Sequence, residues 1–146
     1  MDLGKASSGK DSALAYALLR ATLGLNIFMH GLSRILVGPP VFAATLDKMF
    51  QQTLLSGWPV HVFGLVLPWI EAGLGLLLLL GLKTRMALIG GALLIVLLTF
   101  GTSLRQDWAI AGTQLIYAAL YAALLAFRSW DHYSIDAIFA RSGNQD

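Results

Sequence analysis

Hydrophobic positions along this chain fall into four long runs, separated by short polar breaks. The first run covers about residues 13–32 and continues with mixed polarity to Leu36, where Gly38-Pro39-Pro40 ends it. The others cover about 62–82, 86–104 and 109–127. Each is long enough for a helix to cross a bilayer, which takes about 20 residues. In lipid every backbone amide must bond within its own segment, so helices are the expected form. The breaks at 83–85 and 105–108 are tight turns, which makes the last three runs antiparallel neighbours. The predicted fold is therefore all-α: an antiparallel bundle of four transmembrane helices in one domain spanning 1–146. Between the first two runs, Phe42, Leu46, Met49 and Phe50 recur at helical spacing, opposite Asp47, Lys48, Gln51 and Gln52. That pattern predicts an amphipathic helix in the first outer loop, either lidding the bundle mouth or packing on its end.

Composition supports the membrane reading. The hydrophobic fraction is 57% and the charged fraction 12%, against about 25% charged in soluble domains. A net charge of +2, scattered along the chain, excludes a nucleic-acid groove. With no cysteine, thiol catalysis, iron–sulfur clusters and disulfides are excluded together. Two lysines precede the first run, but its length, its Arg20 and the lack of a small-residue cleavage site favour an uncleaved helix over a signal peptide. Lys5, Lys10, Lys83, Arg85, Arg128 and Arg141 fall on one side of the bundle, and Arg34, Lys48 and Arg105 on the other. The positive-inside rule then places both termini in the cytoplasm. Trp58 and Trp108 would mark the outer interface, and Tyr16, Trp130 and Tyr133 the inner one.

Candidate chemistry lies in the polar residues inside the apolar runs, since such groups are costly in lipid and face protein or water. Tyr16, Arg20, Asn26, His30 and Arg34 share about 120° of the first helix at 100° per residue. The second run holds one acid, Glu71; the third holds Thr99 and Ser103; the fourth holds Gln114, Tyr117 and Tyr121. At 1.5 Å per residue, Arg20 lies about 10 Å and Glu71 about 16 Å from the inner side, so the long arginine side chain is expected to reach Glu71. That pair is either a structural ion pair or part of a polar pocket opening outward. His30 and Glu71 are the candidate proton-handling groups. Arg20, Asn26, Arg34, Gln114, Tyr117 and Tyr121 are the candidate binding residues, with His30 and Gln114 meeting beneath the amphipathic segment. His61 and His132 fall at helix ends as interfacial residues, and no metal or haem site is expected. Gly73, Gly75, Gly90, Gly91 and the stripe Ala118, Ala122, Ala126 read as surfaces for close helix packing, within the bundle or against a partner subunit.

The same residues carry a family resemblance. The chain resembles the DoxX/DoxD family of four-helix membrane proteins along nearly its full length. The motifs are Leu-Leu-Arg20-Ala-Thr-Leu-Gly24, His30-Gly31-Leu-Ser-Arg34, Glu71 with its glycine-rich continuation, Gly81-Leu-Lys-Thr-Arg85, and Tyr133-Ser-Ile-Asp136. Gln106-Asp-Trp108 and Gly112-Thr-Gln114-Leu lean toward the DoxD side. Members of that family include the small subunit of thiosulfate:quinone oxidoreductase and membrane partners of other redox proteins. The resemblance implies a multi-pass protein of a prokaryotic cytoplasmic membrane, a partner redox subunit, and quinone as the candidate cofactor. The leading expectation is a membrane subunit of a redox complex with a quinone or small-molecule pocket between its helices. The alternative is a non-catalytic anchor or assembly subunit whose polar stripe is structural. A small transporter has little support, because internal repeats and broken helices are lacking.

Overall fold

The computed structural model describes residues 3–142, all of its regular elements helical. The chain ends, which the charge pattern assigns to the cytoplasm, lie outside the described residues. The elements are α1 (Leu3–Val37), α2 (Pro39–Phe50), α3 (Trp58–Leu80), α4 (Thr84–Leu104), α5 (Trp108–Ala126), a 3₁₀ turn (Arg128–Trp130) and α6 (Ile135–Ser142). Four of them, α1, α3, α4 and α5, are long and apolar enough to cross a membrane. Helix α1 extends past the predicted span at both ends, because its flanking polar residues continue the same helix. The amphipathic segment forms α2 as its periodicity requires, with Pro39 and Pro40 at the helix start, where a missing amide proton costs nothing.

The most extensive helix contact is between α1 and α3. It rests on three glycines. A Cβ on Gly24 or Gly31 would overlap the α3 backbone at Leu79 or Ala72, and one on Gly75 would overlap Phe28 of α1. Backbone therefore lies on backbone, the geometry small residues allow between membrane helices. Gly64 plays the same part where Ala43 of α2, fully buried, seats on α3. Gly91 of α4 leaves room for the ring of Tyr121 on α5. Two of the small-residue surfaces are not fully used inside the bundle. Gly73 meets nothing within 4 Å, and Ala122 and Ala126 are exposed. The stripe is thus split: Ala118 packs against the core, and Ala122 and Ala126 turn outward.

At the end carrying the termini, the chain folds back to lock the α3–α4 turn. Gly81 closes α3 in a left-handed conformation with φ +68, and its amide donates to the Leu78 carbonyl at 3.2 Å. Asp136 of α6 accepts from the amides of Lys83 at 2.8 Å and Thr84 at 2.7 Å, capping α4 from a distant part of the chain. Arg20 belongs to this lock. It donates to the carbonyls of Leu78 and Leu79 and, at 2.8 Å, to that of Tyr133; its Nε lies 3.7 Å from Asp131. The expected Arg20–Glu71 pair is accordingly not formed. Tyr16, expected at the interface, is buried at 4% exposure in the core with Leu23, Ile27, Leu78 and Leu88.

Candidate functional site

Beneath α2 the bundle forms a half-open cavity of about 420 Å³, within the size range of small-molecule pockets. Its walls come from α2, α3, α4 and α5, and α1 contributes Arg34. Most of the lining is apolar, including Phe42, Phe50, Phe63, Leu67, Leu97 and Phe100. Four polar side chains interrupt it: Arg34, Thr102, Arg105 and Gln114.

Each polar group is positioned by a separate piece of local chemistry. Arg34, one turn from the end of α1, forms an ion pair with Glu71 of α3. The Glu71 side chain is 5% exposed and that of Arg34 27%, so the carboxylate stands behind the guanidinium. Arg105 ends α4 and lies 3.3 Å from Asp107. Asp107 in turn starts α5, its side chain accepting from the Ile110 amide at 3.3 Å, a standard helix N-cap. Thr102 donates to Gln114 Oε1 at 2.8 Å, which joins α4 to α5 and leaves the Gln114 amide nitrogen without a partner among the described residues.

The two arginines also hold α2 over the cavity. The Arg34 guanidinium sits 4.6 Å from the centre of the Phe42 ring, and that of Arg105 5.7 Å from the Phe50 ring. Cations at such distances are attracted by the ring quadrupole. A third tie lies at the α2–α3 junction, where His61 Nδ1 is 2.6 Å from Asp47 Oδ2. The amphipathic helix is thus a lid with three polar fastenings. His61, read from sequence as interfacial, is one of them.

The candidate residues therefore divide into groups. Arg34 and Gln114 line the cavity, and Glu71 reaches it through Arg34. His30 does not line it; its side chain is exposed on α1. The meeting of His30 and Gln114 beneath α2 is therefore not formed. Asn26 accepts a hydrogen bond from the Tyr117 hydroxyl at 2.9 Å, bridging the sparse α1–α5 seam. Tyr121 is buried against Gly91, and Arg20 lies at the opposite end of the bundle in the terminal lock. Sequence reasoning missed Arg105 and Thr102. A basic residue at a helix end reads as an orientation signal, and a threonine among leucines carries little weight; the spacing of Thr102 and Gln114 across one short turn was the available clue. Among the described residues, no three histidine or carboxylate side chains group as a metal site requires.

No curated protein and no solved structure matches the chain. The family comparison does find a match, covering α1 from Ala15 onward, the lid, α3 and α4, and stopping short of α5. Since the DoxX family model accounts for residues 15–104, more than half of the sequence, the chain belongs to the DoxX family.

Proposed function

We propose that this DoxX-family membrane protein is a subunit of a redox complex, and that the cavity beneath α2 holds the head group of a quinone. The cavity itself is the observation that carries the reading. It is apolar, large enough for a single ring, and provided with hydrogen-bond donors from Arg34, Arg105 and Gln114. A ring with two carbonyls needs an apolar slot and a few donors at its oxygens. Reduction to the quinol also takes two electrons and two protons. Electrons would come from a partner redox protein, which is oxidised in the same step. Glu71, ion-paired with Arg34, and His30 of α1 are the groups this reading assigns to proton handling. The termini would be cytoplasmic, with the lidded cavity at the outer face of the cell membrane.

The test is purification in mild detergent, followed by extraction of bound quinone and identification of co-purifying subunits. The reading expects quinone in wild-type preparations and its loss from Gln114→Leu at equal subunit recovery. Losing one hydrogen bond to a polar ligand costs about 1–3 kcal/mol, or roughly 5–150-fold in affinity. Quinone retained at the wild-type level by the fully incorporated variant sinks the site.

A further inference from the structure

We infer that the cavity selects a neutral, carbonyl-bearing head group and rejects a carboxylate on an equally long apolar tail. This rests on the reading of the cavity as a ligand site and specifies what that site accepts. The argument is one of charge placed against donor capacity. Two guanidiniums line the cavity, and taken alone they would make it an anion trap. Each is already matched by one carboxylate that does not line it: Arg34 by Glu71 and Arg105 by Asp107. The local sum is zero, and a buried charge gains from a counter-ion only where none is present. Donor capacity is not cancelled in the same way. A guanidinium has five N–H groups, so one carboxylate leaves several to spare, and Gln114 adds an amide nitrogen without a partner among the described residues.

The polar lining is therefore rich in donors and free of net charge. A carbonyl oxygen satisfies such a surface. A carboxylate brought into it would add a negative charge that nothing balances, and burying an unpaired charge is far costlier than burying a hydrogen-bonded neutral group. The sum depends on Asp107, which has two separable roles here. Its charge offsets Arg105, while one oxygen caps α5 at the Ile110 amide. Asparagine keeps the cap, since Asn and Asp are equivalent there, and puts a neutral amide nitrogen where the charged oxygen faces Arg105.

Equilibrium binding separates the possibilities, using full-length protein in neutral phospholipid nanodiscs against empty discs. The probes are a benzoquinone with a decyl tail and decanoate. Wild type should bind the quinone on the order of tenfold or more tightly than decanoate, a difference of about 1.4 kcal/mol or more. Asp107→Asn should raise decanoate affinity relative to quinone affinity by about tenfold. Decanoate binding wild type as tightly as the quinone overturns the selectivity and leaves the cavity standing as a ligand site. An unchanged decanoate-to-quinone ratio in folded Asp107→Asn overturns it equally. Binding of neither probe by wild type removes the ligand site itself. The wild-type comparison decides the matter even where the variant does not fold.

Discussion

Glu71 pairs with Arg34, not with Arg20, although both arginines lie on the same face of α1. The consequence is a division of labour along one helix: the arginine near the termini is structural and the one near the lid faces the cavity. A double-mutant cycle should read this directly. Arg34→Met and Glu71→Gln should be non-additive in thermal unfolding, with a coupling in the range of about 0.5–3 kcal/mol. Arg20→Met and Glu71→Gln should add within about 0.5 kcal/mol, as independent sites do. Coupling of the second pair and not the first would reverse the assignment.

Arg20→Met should also be the more damaging single change at the terminal end. It removes donors from three carbonyls and leaves Asp131 without its buried cation. Breaking a buried charge pair from one side costs about 3–5 kcal/mol. Loss of stability should be accompanied by protease sensitivity of residues 128–142, because Tyr133 and Asp131 are held through this side chain. A stable variant with a protected terminal segment would contradict the lock.

These two arginines show where the sequence could be read and where it could not. Their shared face follows from helical periodicity alone, as do the four spans and the amphipathic α2. Partner choice depends on which residues reach across, and depth arithmetic assumed straight, level helices starting at the apolar boundary. Helix α1 begins at Leu3 and ends at Val37, and the interlocking of Gly24, Gly31 and Gly75 sets its register against α3. That register brings Arg34 to Glu71 and leaves Arg20 against the carbonyls at the end of α3. Asp131, Tyr133 and Asp136 lie beyond such arithmetic, since the amphipathic pattern of α6 does not say that it folds back onto the α3–α4 turn.

The glycine register can be tested at positions with opposite environments. Gly31→Ala would place a methyl against the α3 backbone at Ala72 and Pro68, and overpacking of this kind costs about 1–3 kcal/mol. Gly73→Ala on α3 meets nothing within 4 Å and should stay within about 0.5 kcal/mol of wild type. Thermal unfolding of both in the same detergent checks the contrast. Equal effects would mean that the helix contact does not depend on backbone approach.

The Asp136 cap predicts a pH dependence outside the membrane. Burial alone would raise the Asp136 pKa, but the amide hydrogen bonds from Thr84 and Lys83 outweigh it and hold the carboxyl below its ordinary value. A carboxyl lowered on folding adds stability above its unfolded pKa, near about 3.9, and that contribution fades as pH falls through the folded value. Asp136→Asn should therefore be less stable than wild type at pH 7, with the gap closing as the pH is taken below about 4. A gap that stays constant down to pH 3 would show that the ionised carboxylate contributes nothing.

The fastenings of α2 should control access to the cavity. Leu46 lines it from the lid, so a cysteine introduced there reports opening by its rate of alkylation. In the Leu46→Cys background, Asp47→Asn removes the charge facing His61 at 2.6 Å, and Phe50→Leu removes the ring beneath Arg105. A partly exposed charge contact and a cation–π contact are each worth about 0.5–1 kcal/mol. Each change should therefore raise the open fraction, and with it the alkylation rate, by roughly 2–5-fold, since about 1.4 kcal/mol corresponds to tenfold. Asp47 and Phe50 lie within one turn at the C-terminal end of α2, so the two changes together should depart from a simple product, as neighbouring contacts do. A cysteine at Val96, exposed on α4 and away from the lid, controls for general loosening and should keep its rate. Equal acceleration at both positions would mean that the substitutions destabilise the whole bundle, and an unchanged rate at Leu46 that α2 is held by its apolar seat on α3 alone.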